Sequence, residues 1–438
     1  MFHKNLFFTL IIVSLLAACS KHSPFEDDKA PLNSIPISQS NTPVFNEQVI
    51  EINQTQTGQL DKHDLARFVE KIGDARIVGL GEQTHGTGSV FTLKNQLIQY
   101  LHQAHNFDLF IIESGMYDVN TLWQQAKQGQ RIKNNAPGNI FYMYANTDEV
   151  TPLFDYINQQ AKTNSPLTFV GFDSQHTGAL SNKGLVNDLE LSLTNESYKF
   201  PTNWQLFKEQ LQQVLNVSSE RLKTADEKMF FAQLEDLQQF FLAISKHKRS
   251  DITDTIHNDD KYNKMGFWYR ITRGLEAQAK RQWKMSDNRS EEMGKNIEWW
   301  ATQYPDKKII VWAHSGHLYR TGFNQVNAGQ VLSERFGEQY YMVHFTSNDG
   351  EFLDFTNMGI KAVSDTNNNS FESIVSQKSQ TNLSFINVLQ QSLMASELAG
   401  KELEIFINRY QDTLLLSQWE QYMDGVFVFK KVEAAHYK

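Results

Sequence analysis

Six ionisable side chains stand at or just after the ends of short apolar runs in this sequence of 438 residues. Three are histidines and three are carboxylates, the residue types that general acid–base catalysis uses. An imidazole titrates near neutral pH, and a carboxylate beside it fixes its tautomer and raises its basicity. We therefore expect the set to move protons to or from a reacting group. Its members are Glu82, His85, Glu113, Asp173, His314 and His317.

Each of these residues also has an ordinary structural explanation. Glu82 could favour the positive end of the helix that follows it. Glu113 and Asp173 could cap the next helices along the chain. His85 and His314 could be packing residues of the interior. An ionisable residue at one strand end is easily explained by local structure, but such residues at four strand ends are much less easily explained as coincidence. The joint pattern therefore favours a functional site.

The apolar runs have the length and composition of buried strands, and helices with a regular apolar face separate them. This alternation predicts an α/β fold with a largely parallel central sheet flanked by helices. The carboxyl ends of parallel strands lie along one edge of the sheet, where ligands bind. The six side chains are therefore expected to converge at that edge. The predicted strands cover residues 75–80, 109–112, 167–172, 308–313, 340–345, 403–407 and 426–429.

The middle of the chain has a different pattern. Between about residue 203 and residue 303 no run has the character of a strand, whereas Phe230, Leu234, Leu237 and Phe241 repeat with a helical period. We predict a helical insertion over 203–303 within one catalytic domain that covers residues 46–438.

Other chemistries find less support. The only cysteine cannot form an intramolecular disulfide or a cysteine-based zinc site. No G-x-S-x-G motif ends a strand, and no H-E-x-x-H motif occurs. We predict no cofactor and keep a metal-dependent, peptidase-like hydrolase as a third interpretation, because Glu, His and Asp can bind metals. With 41 Lys and Arg against 50 Asp and Glu, the chain is not expected to bind nucleic acid.

The amino terminus predicts a signal peptide over residues 1–18, with Lys4 before a short apolar run. That run is too short to cross a bilayer as a helix. Residues 16–19, LAAC, resemble the bacterial lipoprotein box. In that motif the signal is cleaved before the cysteine, which becomes the lipid-bearing amino terminus. We expect an anchor at Cys19 in the cell envelope, on the outer membrane because Ser20 follows. Residues 19–45 are predicted to be a flexible tether.

Several stretches carry a resemblance to one family. Residues 79–87, GLGEQTHGT, resemble the G-E-x-T-H-G-T signature of the erythromycin esterase family. The segments 105–113, 171–173, 289–317 and 423–429 are similar, in the same order, to its H-G-F…E strand, its G-x-D strand, its R…M…N…W-A-H-N-x-H block and its closing strand. The likeness covers nearly all of the chain after the tether.

The resemblance implies a hydrolase of a small-molecule cyclic ester, with a sheet and a helical lobe around a cleft. It implies that His85 activates water, that Glu82 and Glu113 orient this base, and that His314 and His317 assist at the carbonyl. By the same resemblance, the carboxylate of the G-x-D strand would help to bind the substrate.

In this chain the carboxylate of the G-x-D strand is Asp173. The chain also departs from the family in the first turns of the helix after the signature. Many members carry an acidic residue and an arginine where this chain has Ser89, Val90 and Thr92. Other esters are therefore kept beside the macrolide lactone as the expected substrate.

A second interpretation is a non-catalytic envelope lipoprotein that binds a glycan or another lipophilic ligand in the same cleft. Trp299, Trp300 and Trp312 would then stack on sugars, although packing in the core is the favoured explanation for tryptophans in apolar runs. The distances between the histidines and the carboxylates distinguish the two interpretations, because proton transfer needs them within one hydrogen-bond network.

Overall fold

The computed structural model describes residues 49–55, 58–218, 220–250, 265–364, 370–388, 404–406, 413–415, 419 and 421–438. The predicted signal peptide, Cys19 and the predicted tether lie outside these residues. Among the helices that it does describe, none has the length and apolar character needed to cross a membrane.

The strands of the described residues form one large sheet and one small one. Their bounds are β1 (Val49–Ile52), β2 (Ile77–Glu82), β3 (Leu109–Gly115), β4 (Thr168–Asp173), β5 (Ile309–His314), β6 (Tyr340–Asp354), β7 (Gly359–Ser364), β8 (Leu383–Asn387), β9 (Glu404–Phe406), β10 (Thr413–Leu415) and β11 (Gly425–Val432). Nine of them form the central sheet in the order β1-β8-β11-β6-β2-β5-β3-β4, with β7 paired to β6 beside this row, while β9 and β10 pair with each other.

The middle of the central sheet is parallel. The six strands from β11 to β4 pair in parallel, and β1, β8 and β7 add antiparallel pairs. Successive residues of a strand point to opposite faces of its sheet. In β5, Ile309 and Val311 accordingly join one buried apolar cluster, whereas Ile310 and Trp312 join the other. The sheet thus has an apolar core on each face, which explains its unbroken apolar strands.

Helices cover both faces of the sheet. Those of the described residues are α1 (Lys62–Ile72), α2 (Gly88–His105), α3 (Met116–Lys127), α4 (Ile132–Asn135), α5 (Tyr142–Ala145), α6 (Thr151–Gln160), α7 (Val186–Asn195), α8 (Trp204–Leu215), α9 (Thr224–Ser250), α10 (Met265–Gln282), α11 (Arg289–Gln303), α12 (Ser315–Leu318), α13 (Ala328–Phe336) and α14 (Phe371–Lys378). The region predicted as a helical insertion holds α8 to α11, and none of its described residues lies in a strand.

The predicted fold class, an α/β fold with a mostly parallel sheet, is confirmed by this topology. The sequence did not predict β1, β7 and β8, which are short or exposed. Most of β7 faces solvent, for example Ile360 and Lys361, so it has no buried apolar pattern to detect. The strand expected at 403–407 is described only as β9, and it lies outside the central sheet.

Candidate active site

Four neighbouring strands of the central sheet end in the residues singled out from the sequence. These strands, β2, β5, β3 and β4, lie side by side, so their carboxyl ends form one stretch of sheet edge. Glu82 is in register with His314 across β2 and β5. Between β3 and β4 the register shifts after Ile112, and this irregularity carries Glu113. Each strand extends one to three residues beyond its predicted end, so Glu82, Glu113, Asp173 and His314 lie inside the strands.

The first contact is a carboxylate–histidine pair. Glu82 has no exposed surface, and its Oε1 lies 3.1 Å from Nδ1 of His85. The hydroxyl of Tyr144 in α5 donates to the same oxygen at 2.5 Å. With Glu82 accepting from Nδ1, the imidazole carries its lone pair on Nε2. No hydrogen-bond partner of that nitrogen occurs among the described residues.

A buried lysine contacts the carboxylate of this pair on the side of the protein core. Lys94 of α2 has no exposed surface and donates to Oε2 of Glu82 and, at 2.7 Å, to the carbonyl of Leu80. Burial raises the pKa of Glu82, but Lys94 and His85 outweigh burial and lower that pKa to about 2. Burial lowers the pKa of Lys94 to about 8, against the effect of Glu82. At neutral pH the pair is therefore ionised, and Glu82 stays an acceptor for His85.

The tyrosine beside this pair stays a hydrogen-bond donor. Burial and the charge of Glu82 raise the pKa of Tyr144 well above its usual range. A phenol that does not ionise keeps its proton directed at the carboxylate. Tyr144 thus fixes the position of Glu82 without adding negative charge to the site.

A second carboxylate–histidine pair lies two strands away. Oε1 of Glu113 lies 3.3 Å from Nε2 of His317 and 3.3 Å from a guanidinium nitrogen of Arg289. Burial raises the pKa of Glu113, but His317, His85 and Arg289 lower it well below its usual range. Nδ1 of His317 lies 2.8 Å from the hydroxyl of Ser290. Both ring nitrogens of His317 therefore have partners in the neutral and in the protonated form.

Asp173 reaches the site through an arginine. Arg289 donates Nε to Oδ1 of Asp173 at 3.0 Å and a terminal nitrogen to Oδ2 at 2.6 Å. This two-point geometry holds the guanidinium in one plane. The other terminal nitrogen lies 3.2 Å from Nε2 of His317. The predicted substrate-binding carboxylate is thus paired with a cation that the sequence analysis did not assign to the site.

His314 is held by the backbone on every side. Its Nδ1 accepts from the amide of Gly316 at 3.1 Å, and its Nε2 lies 3.1 Å from the carbonyl of Gln83. Its own amide donates to Oε2 of Glu113 at 2.9 Å. Burial and the nearby His85 lower the pKa of His314 to about 3, so the ring is neutral. Its expected assistance at the ester carbonyl stays a prediction. In the structure, His314 lies between the Glu82–His85 pair and the Glu113–His317 pair.

The loop that carries His85 is fixed from two directions. The carbonyl of Gly86 accepts from the amide of Leu353 in β6 at 2.8 Å and from that of Ala435 at 2.9 Å. A Cβ on Gly86 would lie 1.7 Å from the carbonyl oxygen of Leu353, so no larger residue fits there. The glycine of the T-H-G segment therefore allows the loop to pack between the hairpin and the carboxyl-terminal segment.

A nearby serine does not have the geometry of a nucleophile. Ser315 donates its hydroxyl to the carbonyl of Gly81 at 2.7 Å and lies 2.7 Å from Nδ1 of His344. All of these groups are buried, and the serine proton is used by the backbone. This agrees with the absence of a nucleophile motif at the strand ends.

The six predicted residues form one connected network. Rings of His85 and His314 have centroids 5.1 Å apart, and Arg289 joins Asp173 to the second pair. The sequence analysis missed Lys94, Tyr144 and the role of Arg289. The sequence did contain an indication of Lys94, because this lysine lies on the apolar face of α2. Burying an unpaired charge there would cost free energy, which implies a carboxylate partner.

The tryptophans of the second interpretation lie in the interior. Trp300 and Trp312 are 1% and 0% exposed, and Trp299 is 9% exposed. The indole nitrogen of Trp300 donates to the carbonyl of Gly171. Core packing therefore explains them, and they offer no face to a sugar.

No three of the His, Asp and Glu side chains in the described part of the chain come together in an arrangement suited to a metal ion. The carboxylates of the site are already paired with cations of the protein. Lys94 contacts Glu82, and Arg289 contacts both Glu113 and Asp173.

Comparison with known proteins extends these observations. Residues 102–432 match the sequence profile of the family described as erythromycin esterase. The chain is 27% identical over 324 residues to the Bacillus subtilis protein YbfO, a predicted hydrolase, with 66% of this chain and 68% of that protein covered.

Solved structures share the fold. A Bacillus cereus protein has a TM-score of 0.71 at 18% identity, covering 90% of this chain and 97% of its own. A succinoglycan biosynthesis protein has a TM-score of 0.69 at 16% identity, covering 90% and 96%. A histidine-to-asparagine variant of erythromycin esterase EreC, in an open conformation, has a TM-score of 0.59 at 17% identity, covering 86% and 96%.

Proposed function

The chain belongs to the erythromycin esterase family of hydrolases, and from this premise we propose that it hydrolyses an ester with a water molecule activated by His85. Macrolide lactones and other small-molecule esters are the proposed substrates. The family membership supports a hydrolase, and the side-chain geometry supports the choice of base.

The observation that carries the proposal is the arrangement around His85. Glu82 occupies one ring nitrogen at 3.1 Å, and the other has no hydrogen-bond partner in the described part of the protein. A general base needs this combination of an oriented ring and an available lone pair. The low pKa of Glu82, about 2, keeps the orienting carboxylate charged when the ring takes up a proton.

In the proposed reaction, Nε2 of His85 removes a proton from water while the water oxygen bonds to the ester carbonyl carbon. The carbonyl π electrons move to oxygen, giving a tetrahedral oxyanion. When the oxyanion collapses, the bond to the leaving oxygen breaks and that oxygen takes a proton. The products are a carboxylic acid, which ionises, and an alcohol, so water supplies every atom that is gained.

The Glu113–His317 pair is suited to proton donation, the role opposite to that of His85. An Nε2–H on His317 donates to Oε1 of Glu113 at 3.3 Å, and the leaving oxygen of a bound ester would take the place of that acceptor. Arg289 adds positive charge at the same place, which favours developing negative charge on a carbonyl or leaving oxygen. We assign proton donation and oxyanion stabilisation to this side of the site.

The two carboxylate–histidine pairs therefore receive different tasks. His85 is the base because no donor among the described residues occupies its Nε2. We assign the acid to His317 because its Nε2 contacts the carboxylate of Glu113, while Arg289 beside it attracts a developing oxyanion. After each turnover His85 releases its proton to solvent and His317 regains one from solvent, so the two transfers balance.

The test is hydrolysis by a purified chain that starts at residue 19, with Cys19 changed to Ser so that no lipid can be attached. Aryl esters and macrolide lactones are offered to the wild type and to His85→Ala. We expect turnover in the wild type and a loss of roughly a hundredfold or more in the variant. A His63→Ala variant, altered at a surface position of α1, serves as the control.

Unchanged turnover in His85→Ala, with folding verified by circular dichroism, would refute the proposed base. Binding of a macrolide without any turnover in the wild type would favour the binding-protein interpretation instead.

We further propose that the protein is held in the bacterial envelope by a lipid on Cys19. The support is the lipoprotein-like sequence at residues 16–19 and the position of the only cysteine of the chain. The expected result is that the wild type sediments with outer membranes and Cys19→Ala does not. Equal membrane association of both forms, or an unlipidated mature amino terminus by mass spectrometry, would contradict the anchor.

A further inference from the structure

Two phenylalanine rings from separate segments meet the imidazole of His85. The centroid of Phe141 lies 4.8 Å and that of Phe355 lies 5.2 Å from the centroid of His85, and both rings contact it edge to face. Phe141 directly precedes α5, and Phe355 follows the last residue of β6. Both are only half-buried. They therefore form the border of the site on the side of the proposed base.

These rings are held in place by specific contacts. The amide of Phe141 donates to the hydroxyl of Ser114 at 2.7 Å, which ties it to the end of β3. The hydroxyl of Tyr142 donates to the carbonyl of Phe355 at 2.5 Å and joins the two segments. Asp354 accepts from the amide of Thr356 at 2.9 Å and stabilises the turn that carries Phe355. A border held in this way loses little conformational entropy when it binds a ligand.

The two ends of the site therefore differ in charge and polarity. At one end Asp173, Arg289, Glu113 and His317 provide charged groups. At the other end the neighbours of His85 include two aromatic rings that have no charge. An ester bound with its carbonyl between the two ends would place one substituent on the rings. Aromatic rings favour alkyl and aryl groups over charged ones, because burying a charge against them costs free energy.

We propose that Phe141 and Phe355 form an aromatic lip that selects esters whose acyl group is an extended alkyl or aryl group. This inference rests on the proposed esterase function and names the substrate class that it would take. Tyr142 is a positioning residue of the lip, since its hydroxyl donates to the backbone carbonyl of Phe355.

The experiment compares p-nitrophenyl acetate with p-nitrophenyl hexanoate. We expect kcat/KM of the wild type to favour the hexanoate by about tenfold or more. Phe141→Ala and Phe355→Ala are expected to reduce this ratio to near one, and Tyr142→Phe to reduce it in part. Phe240→Ala is the matched control, because Phe240 is half-buried with a similar edge contact to Tyr198 at 4.9 Å, but lies in α9.

A ratio that both lip variants leave unchanged would overturn the proposal, as would an equal decrease in Phe240→Ala. A second measurement separates this outcome from failure of the esterase function. Saturation-transfer NMR with 4-phenylbutanamide, an amide analogue of an apolar ester, reports binding without turnover. If the wild type hydrolyses no ester, binding that Phe355→Ala abolishes supports the lip alone, and binding that persists in both variants refutes it.

Discussion

Lys94 and His85 contact the same carboxylate from opposite sides. Lys94 donates to Oε2 of Glu82 inside the core, and His85 contacts Oε1 at the site. Neither Lys94 nor Glu82 has any exposed surface. The carboxylate therefore has two functions, because it neutralises a buried cation and orients the proposed base. These functions can be separated by mutation.

Glu82→Gln should reduce both activity and stability. The amide leaves Lys94 with an uncompensated buried charge, which we expect to lower the free energy of unfolding by about 3 to 5 kcal/mol. Turnover should fall by roughly a hundredfold or more, since His85 loses its orienting partner. The double variant Glu82→Gln, Lys94→Met should recover much of the stability in urea unfolding but not the activity. Recovery of activity together with stability would show that Glu82 acts only through folding.

His314→Gln tests which histidine governs the pH dependence. The pKa of His314 is lowered to about 3 by burial and by His85, so its ring is already neutral throughout the range in which esters are assayed. We expect turnover to fall by roughly ten- to a hundredfold, because the contacts to Gln83 and Gly316 are altered. The midpoint of the acid limb of the pH–rate profile should not move. A shifted midpoint would assign that ionisation to His314.

Arg289→Lys tests the charged end of the site. Lysine keeps the charge but cannot make the two-point contact with Asp173. We expect kcat/KM to fall by about tenfold or more, and Asp173→Asn to have a similar effect. Because the two side chains act as one unit, the double variant should be little worse than either single variant. Fully additive losses would separate them. Arg335→Lys, in an exposed ion pair with Glu298, is the control.

Gly86→Ala should inactivate the protein more than it unfolds it. The added Cβ would lie 1.7 Å from the carbonyl oxygen of Leu353, so the loop that carries His85 must move away from the hairpin. A displacement of this size at a catalytic group costs about a hundredfold in turnover. Thermal unfolding measured alongside ester hydrolysis checks this. Full activity in a folded variant would show that the loop is not fixed by this contact.

Treatment with a chelator is expected to leave turnover unchanged. The carboxylates at the sheet edge are paired with Lys94 and Arg289, and a metal ion would have to displace these cations. The measurement is ester hydrolysis after dialysis against EDTA, with elemental analysis of the same sample. A loss of activity that a divalent metal restores would establish the metal-dependent interpretation.

Four of the six predicted site residues could be singled out because each lies at the end of a buried strand. Glu82, Glu113, Asp173 and His314 follow runs that only a buried strand explains, and parallel strands end at one edge. The order of strands along that edge was not predictable, since β5 inserts between β2 and β3 although about 200 residues separate it from either one. Neighbouring strands that are distant in sequence leave no local pattern.

The sequence by itself determined the α/β class, the approximate positions of the four strands at the site and the family, because these depend on local apolar periodicity and on short motifs. Only the tertiary structure decided which carboxylate pairs with which histidine. Glu82 pairs with His85, Glu113 pairs with His317, and His314 is locked by the backbone between them. Such pairings depend on helices that approach the edge from elsewhere, such as α2 with Lys94. The contact of Glu113 with His317 joins segments that are distant in the chain, so it is set by tertiary packing and not by the residues beside them.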